Sequence, residues 1–373
     1  MALGSRLTAP SLDQLRVSPG LCLKLRHRKS NCRLCLDSCP CGAINIDDSL
    51  HIDDSLCRGC GICVNVCPTG VFGLGYLSYE SLLDRVKGQA DTTFTCSRFP
   101  QEDWVEVPCL GHLNEALLIG AAISVRSSVR LNLDISRCKQ CHFAVGLQVI
   151  IRSLRRVNQI LAVFGAPGRI SVFNANGTHS PGKSALLRRR FFSYLLGEMR
   201  GVALENMENR GTAMKTISLQ PTLPKKRLML LEQIRKLGQP VVSRAGAGNP
   251  IFSEIAIGKQ CNGCGMCATF CPTGALRQLE KQDSWIIDFA LAYCLACGLC
   301  SDVCPAGTIT CSHDIAPSRL VSGERKVLIE LEKSVCPRCG QGFIASGGSL
   351  CLECRKKEVL NWLPKSMLYY RVN

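Results

Sequence analysis

The chain has 373 residues, 26 of them cysteine, and a formal charge of +16. With 46% hydrophobic but only 6% aromatic residues, it can bury cores for about two to four domains, leaving part of the structural work to cysteine. No apolar run approaches the roughly 20 residues of a membrane span, no signal peptide is visible, and the cysteine spacings are not those of a secreted disulfide framework. A reduced, cytoplasmic setting in an anaerobe is expected.

Taken in chain order, residues 1–88 form a first cysteine module. Cys57, Cys60, Cys63 and Cys67 follow the pattern Cys-x2-Cys-x2-Cys-x3-Cys with Pro68 behind it. An edited run, Cys32, Cys35 and Cys39 with Pro40, precedes it, and Cys22 stands ten residues upstream of Cys32. Between the runs, Ala43–Ile52 alternates apolar and polar residues around Asp47–Ser49, which predicts a hairpin. Residues 89–175 read as a small α/β domain. Strands are expected at Thr92–Cys96, Trp104–Pro108, Val129–Leu133 and Arg169–Phe173, with helices at Leu113–Ile123 and Phe143–Leu161. That alternation implies a parallel sheet with helices packed on it. Residues 176–250 are basic and proline-broken and read as a linker with one or two short helices. Residues 251–316 repeat the first module, with Cys261, Cys264, Cys267, Cys271 and Pro272, then Cys294, Cys297, Cys300, Cys304 and Pro305. Residues 317–373 hold Cys336, Cys339, Cys351 and Cys354 and a basic tail.

The three complete runs resemble the ligand loops of bacterial two-cluster ferredoxins. In that pattern three thiolates of a run hold one [4Fe–4S] cluster and the fourth reaches across to the other. The resemblance pairs Cys261, Cys264 and Cys267 with Cys304, and Cys294, Cys297 and Cys300 with Cys271. It likewise pairs Cys57, Cys60 and Cys63 with Cys39. Cys32, Cys35 and Cys67 then need a partner, since Lys29 stands where the first ligand belongs. Either Cys22 supplies it through an extended loop, which we favour, or the centre is a three-iron type. Cys41 and Cys311 read as small buried residues.

In the middle domain, Cys96, Cys109, Cys138 and Cys141 are expected at the ends of separate strands, converging on one sheet edge. Val107–Leu117, with Cys109 and His112, followed by Cys138-x2-Cys141-His142 and a long helix, resembles the delta subunit of methyl-viologen-type hydrogenases over about 85 residues. The resemblance implies a [2Fe–2S] cluster on these four cysteines and a role passing electrons from a hydrogenase to a heterodisulfide reductase. The family's first Cys-x2-Cys and its wider final spacing are missing, so zinc or no metal stay open alternatives. Cys336-x2-Cys339-x11-Cys351-x2-Cys354 has the two knuckles of a zinc ribbon, a closed structural site, with rubredoxin-like iron as the alternative.

Two motifs carry less than they promise. Gly177–Ser184 satisfies the phosphate-loop expression, but no apolar strand ending in aspartate follows to hold magnesium. Arg188–Arg190 followed by Phe191 and Phe192 has a twin-arginine look, but lies mid-chain and cannot serve as an export signal.

The charge of +16 first suggests nucleic acid. Each four-thiolate site, whether cubane or zinc, brings a net charge of about −2, so six sites would leave the loaded protein at only about +4. Nucleic-acid binding, through Arg188–Arg190, Lys225–Arg227 and Arg355–Lys357, is therefore the weaker expectation. The fold expected is α+β and multidomain: two ferredoxin-like modules flanking an α/β parallel-sheet domain, with a zinc-ribbon-like C-terminal module. No catalytic constellation appears. The function expected is single-electron relay through four [4Fe–4S] clusters, with or without one [2Fe–2S] cluster, plus one zinc. Hydrogenase, formate dehydrogenase or heterodisulfide-reductase proteins are the expected partners, and a free polyferredoxin is the alternative.

Overall fold

The computed structural model describes residues 15–175, 220–246, 251–344 and 349–362. The segment Gly177–Ser184 and the Arg188–Arg190 cluster lie outside the described residues.

The first module runs through β1 (Leu15–Val17), α1 (Leu23–Arg26), α2 (Leu34–Asp37), β2 (Ile44–Ile46), β3 (Leu50–Ile52), α3 (Ile62–Val66) and β4 (Phe72–Leu74). β1 pairs antiparallel with β4, tying the start of the module to its end. The hairpin β2–β3 sets Asn45 opposite His51, with the turn where the alternation predicts it.

The middle domain follows, with α4 (Tyr79–Val86), β5 (Thr92–Cys96), β6 (Val105–Val107), α5 (Glu115–Ser124), β7 (Val129–Asn132), α6 (Ile135–Lys139), α7 (Val145–Val163) and β8 (Ile170–Phe173). The four strands form one parallel sheet in the order β6-β5-β7-β8. Asn114 caps α5 by accepting from the Leu117 N–H at 2.9 Å, as a short polar side chain does at a helix start. The helix is buried on every side, not on one face as its Leu113, Leu117 and Ala121 spacing suggests: Ala116 to Ile119, Ala121 and Ala122 are all at most 1% exposed. The reason is position, because α4 and α7 pack against it, and an all-apolar helix is stable only when surrounded. The third neighbour is α8 (Lys225–Leu237), which lies in the basic segment and buries Leu230, Leu231 and Ile234.

The second module repeats the first. It comprises β9 (Glu254–Ile257), α9 (Met266–Thr269), the hairpin β10 (Leu276–Glu280) and β11 (Ser284–Ala290), α10 (Leu299–Val303) and β12 (Ile309–Ser312). β9 pairs antiparallel with β12, as β1 does with β4. The last described elements are α11 (Ser318–Ser322), β13 (Arg325–Val335), β14 (Gly342–Ile344) and α12 (Leu352–Trp362). β13 does not stay with the C-terminal cysteines alone: it pairs with β11, giving a four-stranded sheet in the order β10-β11-β13-β14. One contiguous apolar core runs from the first module through the middle domain and α8 into the second.

Candidate iron–sulfur and metal sites

A cysteine run can wrap a cluster only if its backbone turns between ligands. Gly59 and Gly61 (φ 61° and 73°), Gly263 and Gly265 (65° and 69°) and Gly298 (73°) take left-handed conformations there, which glycine adopts without steric cost. The fourth run carries Ala296 where two others carry Gly59 and Gly263, and holds φ at 52° all the same. We expect Ala296→Gly to stabilise the protein by about 0.5–1 kcal/mol. Thermal unfolding of anaerobically prepared protein checks this, and a lowered midpoint would contradict it.

In the first module the thiols fall into two neighbourhoods. Burial pushes Cys35 up to about 12, and the like charges of Cys67, Cys22 and Cys32 add to it. Cys22 is itself raised, by burial first and also by Cys67. Cys32 is raised in the same way, with Cys67 and Cys22 as neighbours. Burial likewise pushes Cys60 up to about 12, with Cys39, Cys41 and Cys57 contributing. Cys63 is raised well above the usual thiol range by burial, then by Cys60, Cys57, Cys39 and, from the other neighbourhood, Cys35.

The second module shows the same division. Cys267 is pushed up to about 12 by burial, with Cys261, Cys264 and Cys304 beside it. Cys297 is pushed to about 12 by burial, with Cys294 and Cys271 beside it. Cys300 is raised too, most by a hydrogen bond with Cys311 and then by burial, with Cys297 and Cys294 next to it. Crowded, buried thiols resist ionising one by one, and a cationic metal core that binds all four as thiolates removes that conflict. The backbone is prepared for such charge. Ala43 N donates to Cys39 Sγ at 3.3 Å and Val71 N to Cys67 Sγ at 3.4 Å. Leu276 N donates to Cys271 Sγ at 3.5 Å, and the Thr308 hydroxyl lies 3.7 Å from Cys304 Sγ.

Cys311 is exposed, contrary to its reading as a small buried residue. It lies on β12, which among the described residues pairs only with β9. Cys41 is partly buried in the neighbourhood of Cys39 and Cys57.

The two modules meet. Arg26, buried on α1, donates from Nε to the Phe270 carbonyl at 3.1 Å, and the His27 and Phe270 rings stand 4.5 Å apart. Arg26 interacts electrostatically with Cys271 and Cys297 of the second module. Leu23, Leu299 and Val303 form a buried cluster with Cys32 and Cys297 packed against it.

In the middle domain, Cys96, Cys109, Cys138 and Cys141 line one cavity of about 250 Å³. It lies beyond the carboxyl ends of β5, β6 and β7, where open parallel sheets place their ligand sites. Burial pushes Cys109 up to about 12, with Cys60 of the first module, Cys96 and Cys138 as charged neighbours. Cys138 is pushed to about 11 by burial, then by Cys96 and Cys141. Gly146, at the start of α7, makes this packing possible, since a Cβ there would stand 2.6 Å from Cys109 Sγ. Gly146→Ala is expected to displace that thiol and cost about 1–3 kcal/mol, and to remove any metal of this site while cubane iron is retained. Iron and zinc analysis of the purified variant checks it.

Several residues that matter here carried no motif. Asn65, on α3, donates from Nδ2 to the Gly111 and Leu113 carbonyls, both at 2.9 Å, and so fastens the first module to the middle domain. Lys226 donates to the carbonyls of Asn65 (2.5 Å) and Cys67 (2.7 Å). Only the basic composition around Lys225–Arg227 hinted at it.

Among the described residues the C-terminal quartet is the tightest group. The sulfurs of Cys336, Cys339, Cys351 and Cys354 all lie within 4.8 Å of one another, and the Cys351 N–H donates to Cys336 Sγ at 3.5 Å.

Residues 30–71 and 260–308 each match the family model of the 4Fe–4S dicluster domain. No curated protein matches the chain. No helix among the described residues is long and apolar enough to cross a membrane. With dicluster modules in both halves and grouped cysteines in each, the chain is a multi-cluster, 4Fe–4S ferredoxin-like, metal-binding protein of mixed α/β architecture with an iron–sulfur electron-transfer role.

Proposed function

We propose that the chain is an electron-transfer subunit carrying four [4Fe–4S] clusters, working with an oxidoreductase of hydrogenase, formate dehydrogenase or heterodisulfide-reductase type. Bound clusters of this kind take up and release one electron at a time. The observation that carries the reading is that successive thiol groups are near enough to feel one another's charge or to share an apolar cluster. Cys109 of the middle domain neighbours Cys60. Cys63 of that group neighbours Cys35 of the next, and Cys32 shares an apolar cluster with Cys297 of the second module. In this reading the groups Cys39/Cys57/Cys60/Cys63, Cys22/Cys32/Cys35/Cys67 and Cys271/Cys294/Cys297/Cys300 follow one another as a line, and Cys261/Cys264/Cys267/Cys304 continues it because the runs Cys261–Cys271 and Cys294–Cys304 each give ligands to both groups. The middle-domain cysteines, which line one cavity, stand at its first end, and a [2Fe–2S] cluster is the centre proposed for them. Arg26 and Lys226 place positive charge at the junctions, which steadies buried negative sites.

For the C-terminal quartet we propose zinc. Four zinc–sulfur bonds of about 2.3 Å in a tetrahedron set sulfurs about 3.8 Å apart, and Cys339 Sγ lies 3.6 Å from Cys351 Sγ.

Anaerobic metal analysis tests the whole assignment. The expected result is about 16 iron atoms, or about 18 with a two-iron centre, plus one zinc. Colourless, iron-free protein with no paramagnetic signal after reduction would end the proposal.

A further inference from the structure

Where the first module, the middle domain, α8 and the second module come together, they enclose a cavity of about 240 Å³. Its wall carries Arg152, Arg156, Lys226 and Arg227 against a single carboxylate, Glu115. Glu115 is committed to Arg156 at 3.0 Å. Arg227 is only 6% exposed. Its Nη2 donates to the Ile251 carbonyl at 2.7 Å and its guanidinium lies 4.3 Å from the centre of the Phe252 ring, while the buried Nη1 has no acceptor. Lys226 spends two of its three donors on carbonyls. Arg152, half-buried on α7, faces the like charge of Arg156 and, more weakly, the opposite charge of Glu115 that Arg156 already holds.

Compensation of cluster charge accounts for cations in this place, but not for their donors. A field acting across several ångströms accepts no hydrogen bond, and a buried charged donor without an acceptor is costly. An oxyanion answers both needs, since its oxygens accept from several guanidinium N–H groups and its charge balances them. The cavity has room for a tetrahedral anion. We propose that it is a binding site for an oxyanion of the phosphate class, held by Arg152, Lys226 and Arg227.

The site has a consequence that rests on the electron-transfer reading. Cys297 forms part of the cavity wall, and Lys226 interacts electrostatically with Cys67. An anion bound there lies against Cys297 on one side and, on the other, against Leu34 and Pro68, the chain neighbours of Cys35 and Cys67. Reduction adds negative charge to those groups, so the reduced protein binds the anion more weakly. By reciprocity the anion makes those centres harder to reduce.

Calorimetric titration of anaerobic holoprotein with inorganic phosphate, at ionic strength held constant with sodium chloride, tests the proposal. Saturable binding is expected, weakened at least about tenfold by Arg152→Gln, whose half-exposed side chain can be lost without emptying the core. A parallel titration with ADP separates free phosphate from a phosphoryl ester: either ligand binding in an Arg152-dependent way supports the site. Failure of both, or binding unchanged in Arg152→Gln, overturns it. Repeating the titration on protein reduced electrochemically with methyl viologen reads the link, and equal affinity in both states overturns that part. Iron-free preparations would sink the relay reading separately, whatever phosphate does.

Discussion

Cys22→Ala is expected to remove one cubane and leave the other three, lowering iron from about 16 atoms to about 12, or to about 15 where a three-iron remnant persists. Cys22 is 6% exposed, and its thiol shares a neighbourhood with Cys67, Cys32 and Cys35. It also stands at the N-cap of α1, the helix that carries Leu23 and Arg26 into the second module. A ligand in that position fixes both the cluster and the helix that reaches the neighbouring one. The variant therefore interrupts the line of thiol groups at its centre. Reduction by a donor acting at the middle domain should reach the Cys39/Cys57/Cys60/Cys63 group as before and fill the second module far more slowly. Paramagnetic resonance during stepwise reduction distinguishes the two halves. Cys41→Ala is the control and should retain all its iron. Full iron in Cys22→Ala would mean that another group completes the site.

The parts legible in the sequence are those written in local spacing. Ligands three residues apart, with a proline behind the last, name a cluster loop without reference to the rest of the fold. The hairpin at Ala43–Ile52 and the middle strands show because apolar alternation is local as well. What stayed hidden depends on which elements become neighbours. Nothing in the spacing of the stretch Cys22–Cys32 tells that its buried Arg26 lies within electrostatic reach of Cys271 and Cys297 across the interface. β13 is rich in charge and hard to assign alone. Its Glu330 pairs with Lys281 at 3.1 Å and its Lys333 with Glu280 at 2.7 Å, so the charges fasten β13 to the β10–β11 turn in a sheet the spacing of the cysteines does not announce. Lys226 and Arg227 look like part of a solvated basic patch. They are held in the interior by carbonyls and an aromatic ring supplied by segments distant in the chain.

His112 shows what such a hidden contact does to stability. It is fully buried at the seam between the first module and the middle domain. Its Nδ1 lies 3.3 Å from the Gly61 carbonyl, and since a carbonyl only accepts, Nδ1 carries the proton. The ring stacks on Tyr79 at 5.7 Å, and its Nε2 has no partner. Burial holds this imidazole down at about 4, against an ordinary 6.5, with the Gly61 hydrogen bond a smaller opposing influence. A neutral, buried histidine disfavours the proton that the unfolded chain accepts. Its contribution is therefore complete above pH 6.5 and is lost as pH falls from about 6.5 to about 4, a difference of roughly 3 kcal/mol. His112→Phe keeps the packed ring but leaves the Gly61 carbonyl without its donor, so the variant should be less stable at pH 8 by about 1 kcal/mol. It lacks the acid-dependent loss, so the order should reverse below roughly pH 6. Comparing the two proteins at each pH cancels the acid lability that their clusters share. Anaerobic urea unfolding between pH 4 and pH 8 reads the crossing, and two parallel curves would show that His112 does not hold the seam as a neutral ring.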